Sequence, residues 1–503
     1  MNLSTQHPSL TLRRQDRLTW LGLPVLALLL RIPFCSQFLY HWDSVNFALS
    51  LENYDVRLHQ PHPPGYFLYS VLGMLANLVV HDANKSLILI SLVSGALGVV
   101  ALYWLGTTMF NRQVGMVAAL LALTNPMHWF YSEIALSYAL EFLLVTILAG
   151  LCYRQLTGDQ RGWLWLAILM GIVGGVRQND LVFLFPLWLA SLWPLSWRRR
   201  AASVVVLGIV TLAWLWPMMA MSGGPAGYLS AVGAESGGIA SESPLSSLRQ
   251  LGLNGVRMAI YLGYGLLLGS IPLLWGGWSL LRRARSHLMD RRAWVFVLWI
   301  GPAFCFYVLI HIRQHGHIFT FLPALILLAA LATTRLGRRF GELNQARLLT
   351  SALATLLIVT NGLFFLLAPA SLFSSERLPL QTPTRKTIAQ RDRFLSERID
   401  CIRTHFEPES TVILAGGLNF RHPDFYLREF QDTSLSYRLG ENASVLPNHV
   451  RTLVLFDDIV LPQLSTASGF QVLSLPDGQS IRYITWDNSQ RAMVSQNSLD
   501  IQE

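Results

Sequence analysis

The chain contains a succession of long apolar segments joined by short polar ones, and this pattern constrains the fold more strongly than any other feature. A helix needs roughly 20 apolar residues to cross about 30 Å of hydrocarbon. With 52% hydrophobic and 13% charged residues, the composition excludes an ordinary soluble domain. The sequence therefore predicts a polytopic α-helical membrane protein with about eleven transmembrane helices. The predicted spans are residues 18–38, 86–109, 114–131, 133–152, 162–178, 180–196, 201–221, 255–280, 293–312, 317–334 and 347–368.

The basic residues indicate the orientation of these spans. Short loops rich in Lys and Arg stay in the cytoplasm, and the strongest of them lie at residues 198–200, 282–292 and 335–347. The N-terminus is also basic, and the first span lacks a small-residue cleavage site, so we expect an anchor rather than a removable signal peptide. These inner loops, lying against anionic lipid, explain the net charge of +9 without a nucleic-acid partner.

Residues 39–85 are predicted to form one long external loop, because the spans on both sides of it start or end outside. The apolar stretch 65–80 inside this loop is about 16 residues long and aromatic at one end, which is typical of a helix lying in the membrane interface. The alternative is that this stretch crosses the membrane and another weak segment does not. A Gly/Ser-rich loop at 222–254, a turn at 311–317 and the tail from about residue 369 are predicted on the same outer side.

The tail differs in composition from the rest of the chain. A polar helix is predicted at 384–405 and strands at 411–414, 452–456 and 470–473. We therefore expect a transmembrane domain at 1–370 and a small extracytoplasmic α/β domain at 371–503. The four cysteines indicate no disulfide framework, and the absence of CxxC and HExxH pairs gives no sign of a tightly held zinc ion.

Many charged and histidine side chains fall at the outer ends of the spans or in the outer loops. Charges near the bilayer are costly, so such residues usually pair with each other or with a ligand. Pairing alone is the alternative for Arg177 with Asp180, and for Glu133 with a base. Transfer of a sugar from a lipid phosphate would use the same inventory, because it needs one general base for the acceptor hydroxyl and cations for the phosphate.

Two runs in the external loop carry a family resemblance. The run from Trp42 to Leu49, and the run from His59 to Tyr69 with its His-Pro-Pro-Gly-Tyr core, resemble the first loop of the GT-C membrane glycosyltransferases. Within these, the protein O-mannosyltransferase and lipid A aminoarabinose transferase superfamily is the most similar. Further likenesses are the Asn125-Pro126 turn, and the loop from His311 to Pro323 with Gln314 and Gly316.

The resemblance implies a GT-C fold, a polyprenyl-phosphate-linked sugar donor, an acceptor glycan, lipid or protein, and Asp43 as the catalytic general base. A single carboxylate with no covalent intermediate predicts inversion at the anomeric carbon, by analogy with inverting glycosidases. Many relatives carry a second acid directly after this Asp, where the chain has Ser44; no cofactor is predicted, and metal independence is favoured over a divalent ion. Substrate-binding roles are predicted for Arg57, His59, His62, Lys85, Glu133, Tyr138, Arg177, Gln178, Arg313 and His315.

Two other classes of function fit parts of the sequence. A secondary transporter or lipid flippase would also have many spans, although the paired repeats and broken helices typical of transporters are not found. A non-catalytic scaffold for envelope-polymer assembly would use the tail to bind a partner. The compact basic loops favour a bacterial inner membrane as the location, with the N-terminus in the cytoplasm.

Overall fold

A computed structural model describes residues 14–241, 247–281, 290–339, 343–372, 380–430, 444–457, 469–476, 478–487, 491–494 and 499–502. The basic N-terminus before residue 14 and the inner loop 282–289 lie outside the described residues. The helices in chain order are α1 (Arg14–Arg31), α2 (Trp42–Ser50), α3 (Phe67–Val80), α4 (Ala83–Met109), α5 (Arg112–Thr124), α6 (Pro126–Tyr131), α7 (Tyr138–Leu156), α8 (Trp163–Val176), α9 (Gln178–Ser191), α10 (Trp197–Met221), α11 (Gly224–Ser241), α12 (Leu248–Leu266), α13 (Ser270–Leu281), α14 (Arg291–Leu309), α15 (Leu322–Arg339), α16 (Leu343–Leu367), α17 (Arg385–His405) and α18 (His422–Tyr426).

Several helices are long and apolar enough to cross a membrane. In the described part of the chain six helices meet both conditions, by length and composition alone. Shorter apolar helices cover Leu18–Phe34, Phe67–Val80, Arg112–Thr124 and Gln160–Val176. The predicted membrane protein is therefore confirmed, and the number eleven stays a prediction. The six are Ala83–Met109, Tyr138–Leu156, Trp197–Met221, Leu248–Gly277, Arg291–Leu309 and Asn344–Leu367.

The predicted spans 114–131 and 133–152 are displaced in the structure. Helix α5 ends at Thr124, and the Asn125 side chain accepts a hydrogen bond from the backbone N–H of His128 (3.0 Å), which caps α6. A non-helical segment follows, and α7 begins only at Tyr138. Ile134 and Leu136 in this segment are 0% and 3% exposed. These apolar side chains are covered by other parts of the protein. Hydropathy alone does not distinguish burial within the protein from contact with lipid.

The loop 39–85, which is predicted to be external, contains α2 and α3. Helix α3 packs on α4 and α8 and leaves Leu75, Leu78 and Val79 exposed. One apolar exposed face suits a helix in the membrane interface, although that position stays a prediction.

The Gly/Ser-rich segment after α10 was expected to be a loop, and in this respect the prediction was wrong, because residues 224–241 form helix α11. Tyr228 of α11 packs in a buried cluster with Tyr54, Trp214 and Met218. Its hydroxyl also donates to the carbonyl of Pro64 (3.0 Å). These tertiary contacts override the low helix propensity of glycine and serine.

The C-terminal residues form a helix and two small sheets. The strands are β1 (Thr411–Leu414), β2 (Ser444–Val445), β3 (Thr452–Leu455), β4 (Gln471–Ser474), β5 (Ser480–Thr485), β6 (Arg491–Val494) and β7 (Leu499–Gln502). One sheet has the order β1-β3-β5-β4, with β1 and β3 parallel and the other pairs antiparallel, and the second has the order β2-β6-β7. The predicted helix and three predicted strands are all present. The domain boundary at residue 370 falls between α16 and α17 and stays a prediction.

Candidate active site

Asp43 lies in the first turn of α2. His41 caps this helix. Its Nδ1 accepts a hydrogen bond from the backbone N–H of Asp43 (3.1 Å), and the backbone N–H of His41 donates to Ser44 Oγ (3.3 Å). This reciprocal arrangement is a capping box. Ser44, which replaces the second acid of many relatives, therefore has a local role in starting the helix that carries Asp43.

The Asp43 carboxylate is buried, with 6% of the residue exposed. Its Oδ2 accepts a hydrogen bond from Gln314 Nε2 (2.9 Å) and lies 3.3 Å from His41 Nδ1. Its Oδ1 lies 3.3 Å from His62 Nδ1 and accepts no aligned hydrogen bond within the described residues. Gln314 thus holds one carboxylate oxygen in place, and the other oxygen faces His62.

The surroundings of Asp43 favour its ionised form. Burial raises the pKa of the carboxyl, but the His62 and His41 imidazoles and the Gln314 amide lower it more, so the pKa of Asp43 lies below its ordinary value. Burial lowers the pKa of His59 to about 4 and that of His315 to about 3. Asp43 is therefore a carboxylate at neutral pH, and the imidazoles of His59 and His315 are uncharged.

A cleft of about 560 Å³ opens beside Asp43. Its wall combines polar and aromatic side chains with apolar ones. The polar part includes His62, Tyr66, Tyr138, Arg177, Arg313 and Gln314. The apolar part includes Val232 of α11 together with Phe306 and Ile310 of α14 and its C-terminal end.

Gln314 is fixed between two partners. Its Oε1 accepts from the Tyr138 hydroxyl (3.1 Å), so its Nε2 points to Asp43. Gly316 allows this loop to approach, because a Cβ there would lie 2.4 Å from the Tyr138 ring. The structure thus brings Tyr138 to the cleft, as predicted, and adds Gln314, which was noted in the sequence but not assigned to the site.

Arg177 is buried and already paired. Its Nε lies 3.0 Å from Glu141 Oε2, and its guanidinium lies 4.5 Å from the centre of the Tyr138 ring. Thr320 Oγ1 lies 2.8 Å from Glu141 Oε1 and 2.9 Å from Asp180 Oδ1. Because one hydroxyl has a single hydrogen, one of the two carboxyls must carry a proton. The charge of Arg177 is therefore largely compensated. Arg313 is a second guanidinium in the cleft wall, and it interacts electrostatically with Glu235.

Three residues predicted for the site lie elsewhere. Arg57 is half exposed and forms an ion pair with Asp55 (Nη2 to Oδ2, 2.6 Å). Lys85 is 75% exposed and lies 3.6 Å from Asp82.

Glu133 is buried and interacts electrostatically with Arg31, away from the cleft. For Glu133, interaction with a base was the alternative that the sequence left open. For Arg57 and Lys85 the partner is two or three residues away in the chain.

The other predicted residues support or border the site. His59 lies next to His62, and Gln178 Nε2 donates to the carbonyl of Pro64 (3.4 Å), which holds the His-Pro-Pro turn. His315 lines a second cavity of about 380 Å³ on the other side of Gln314, together with Gln381 and Leu418 from the C-terminal region.

Glu235 of α11 is a further carboxylate in the main cleft that sequence reasoning missed. It falls in the segment that was expected to be a flexible loop, and no neighbouring motif marks it. Within the described ranges, no group of three or more His, Cys, Asp or Glu side chains is arranged to hold a metal ion. Metal independence stays a prediction.

The fold is that of the GT-C membrane glycosyltransferases, so the predicted resemblance is confirmed at the level of architecture. ArnT from Cupriavidus metallidurans, solved bound to undecaprenyl phosphate, aligns with a TM-score of 0.55 and 14% sequence identity over 93% of this chain and 97% of that chain. The oligosaccharyltransferase of Archaeoglobus fulgidus in its apo form aligns with a TM-score of 0.50 and 14% identity, over 93% of this chain and 75% of that one.

One family matches by sequence. Residues 53–200 match the model of the family described as the N-terminal domain of the protein O-mannosyl-transferase TMEM260. The matched range begins after Asp43 and includes the His-Pro-Pro turn, Tyr138 and Arg177. Comparison with curated protein sequences finds no match.

Proposed function

We propose that the protein is a glycosyltransferase that moves a sugar from a polyprenyl-phosphate donor to an acceptor hydroxyl at the outer face of the membrane, with Asp43 as the general base. The observation that carries this proposal is the buried, ionised Asp43 carboxylate, held by Gln314 through Oδ2 and placed in the wall of a cleft that also contains Arg313. ArnT, which shares the fold, was solved bound to undecaprenyl phosphate.

The proposed reaction needs few groups. Asp43 takes the proton of the acceptor hydroxyl, the acceptor oxygen bonds to the anomeric carbon, and the bond from that carbon to the phosphate oxygen breaks. The lipid phosphate leaves with the electron pair as an anion, which the Arg313 guanidinium stabilises. Direct attack opposite the leaving phosphate gives inversion at the anomeric carbon. Arg177, already paired with Glu141, orients Tyr138 rather than binding the phosphate.

The lining of the cleft suits a donor with a lipid tail. It combines polar side chains, Arg313 among them, with the apolar side chains of Val232, Phe306 and Ile310. A sugar phosphate would contact the polar side chains while the first isoprene units contact the apolar ones. We propose that the active side is extracytoplasmic in a bacterial inner membrane.

The test is sugar transfer by the purified Asp43→Asn protein in liposomes, from a panel of polyprenyl-phosphate-linked sugars. Loss of the general base is expected to lower kcat by about 10²- to 10⁴-fold. Glu52→Gln is the matched control, because Glu52 is an exposed acid of the same loop and pairs with Arg428 (2.7 Å) outside the cleft. Undiminished transfer by the Asn variant, with an active wild type, would rule out Asp43 as the base.

A further inference from the structure

The segment Gln37–Tyr40, which joins α1 to α2 just before Asp43, is held by side chains from the C-terminal region. The backbone N–H of Gln37 donates to Asp392 Oδ2 (2.9 Å), and that of Phe38 donates to Asp392 Oδ1 (3.2 Å). The next N–H, of Leu39, donates to the Tyr426 hydroxyl (2.7 Å). Three consecutive backbone donors thus bind two side chains.

The carbonyls of the same segment are held in the same way. The carbonyl of Leu39 lies 2.8 Å from His422 Nε2, and that of Tyr40 accepts from Arg391 Nε (3.0 Å). Buried backbone groups normally find partners within regular secondary structure. In this segment α17 and α18 supply those partners, in place of a neighbouring strand.

The contact continues beyond Asp43. The Phe420 ring lies 5.3 Å from the Trp42 ring, and Arg421 Nε donates to Asn46 Oδ1 (3.0 Å) on α2. The C-terminal region therefore contacts the chain on both sides of Asp43. The non-helical segment between α6 and α7 fixes the start of this segment, since the backbone N–H of Ser36 donates to the carbonyl of Glu133 (3.0 Å).

None of the cleft-lining residues comes from the C-terminal region, as far as the described residues show. Its contacts reach the backbone and α2, whereas the Asp43 carboxylate itself is met by Gln314, His41 and His62. Among the described residues, the contacts of the C-terminal region with the backbone around Asp43 act on the cleft by setting where α2 lies. A shift of about 1 Å in a catalytic group can cost roughly 10²-fold in rate.

We propose that Asp392 and Tyr426 are positioning residues for Asp43, so that the C-terminal domain is required for turnover although it supplies no reacting group. This inference rests on the proposed function. It predicts a loss in kcat with little change in the KM for the donor, because the groups that contact the donor belong to the membrane helices and their loops.

The test uses two variants in the full-length protein, each with a matched control. Tyr426→Phe removes the acceptor of the Leu39 N–H, and Tyr483→Phe is its control, since that hydroxyl donates to Gln471 Oε1 (2.6 Å) on the exposed sheet. Asp392→Asn weakens the acceptors of two N–H groups. Asp400→Asn on the same helix is its control. The Asp400 carboxylate accepts a hydrogen bond from the exposed Ser396 hydroxyl within α17, and the Thr404 hydroxyl donates to the backbone carbonyl of Asp400.

For Tyr426→Phe and Asp392→Asn we expect kcat to fall roughly tenfold or more, with donor KM within about twofold of the wild type. Amide hydrogen exchange in a peptide covering residues 37–40 should become faster in both, and remain at the wild-type rate in both controls. A merely destabilised protein would instead lose folded material with kcat per folded molecule unchanged.

Unchanged kcat in both variants beside an active wild type would overturn this inference alone, as would unchanged exchange at residues 37–40. An inactive wild type would instead count against the proposed function, and the exchange measurement would still test the grip on the segment. The two failures are therefore distinguishable.

Discussion

Gln314 connects a tyrosine of one helix to the carboxylate of the first loop. It accepts from Tyr138 at 3.1 Å and donates to Asp43 at 2.9 Å, and its donation is one cause of the low pKa of that carboxyl. Burial acts in the opposite direction. The ionised form of Asp43 at the working pH is thus the balance between its low exposure and a small set of neighbours.

Gln314→Ala is predicted to move the acid limb of the pH profile of kcat/KM to higher pH. With the amide gone, burial counts for more, the pKa of Asp43 rises, and the base is protonated over a wider acidic range. The measurement is kcat/KM from pH 8 down to the lowest pH at which the protein stays folded. Gln113→Ala is the control, because Gln113 pairs with Arg338 (2.9 Å) far from the cleft. An acid limb at the wild-type position would contradict this role of Gln314.

The same sign applies to stability. Because the folded-state pKa of Asp43 is lowered, its contribution to the free energy of unfolding is present above the unfolded-state pKa of about 4 and is lost as the pH falls through the folded value.

Sequence reasoning found Asp43, His62 and Tyr138 through motifs. It did not assign Gln314, because Gln314 is 271 residues from Asp43 and no spacing rule connects them. The local acids Asp55 and Asp82 were visible beside Arg57 and Lys85, and their pairing could have been anticipated.

Helices α4 and α5 approach each other closely at a pair of glycines. A Cβ on Gly106 would lie 2.7 Å from Gly115 Cα, and a Cβ on Gly115 would lie 2.6 Å from the carbonyl oxygen of Tyr103. Small residues at such contacts let helix backbones pack in membranes, where van der Waals contact replaces the hydrophobic effect as the driving force.

Gly115→Ala is therefore predicted to destabilise the protein by about 1–3 kcal/mol, because the added methyl group meets backbone that has no room to move. Gly208→Ala on α10 is the matched control, since a Cβ there meets nothing within 4 Å. Its higher helix propensity should leave stability unchanged or slightly increased. Thermal unfolding of both variants in the same detergent measures the difference, and equal midpoints would contradict the packing argument.

At the level of elements, the sequence predicted most helices to within a few residues, because apolar runs bounded by basic loops are a strong signal. It failed where tertiary contacts decide. Ile134 and Leu136 looked like part of a span but are covered by protein, and Tyr228 anchors a helix in a segment whose glycines and serines favour a loop. The strands β2, β5, β6 and β7 were not predicted, since short runs in a small domain carry little periodicity.

The whole molecule is predicted to place its C-terminal domain outside and its basic loops inside. We expect a cysteine at exposed Glu409, in a background without Cys35, Cys305 and Cys401, to react with a membrane-impermeant maleimide in intact cells. A cysteine at exposed Arg161 should react only after the cells are permeabilised. The reverse pattern would contradict the orientation and the extracytoplasmic site.

The hydrogen bonds between the C-terminal region and residues 37–40 can form only late in synthesis of the chain. The partners of these residues lie 351 to 387 residues further along the chain, so at ribosomal speed the first loop waits roughly 20 to 70 s for them. During that interval the membrane helices can insert while the backbone groups of residues 37–40 are still unpaired. A nascent or truncated chain would therefore carry Asp43 without its final alignment, and competence for transfer would arrive only with the last part of the polypeptide.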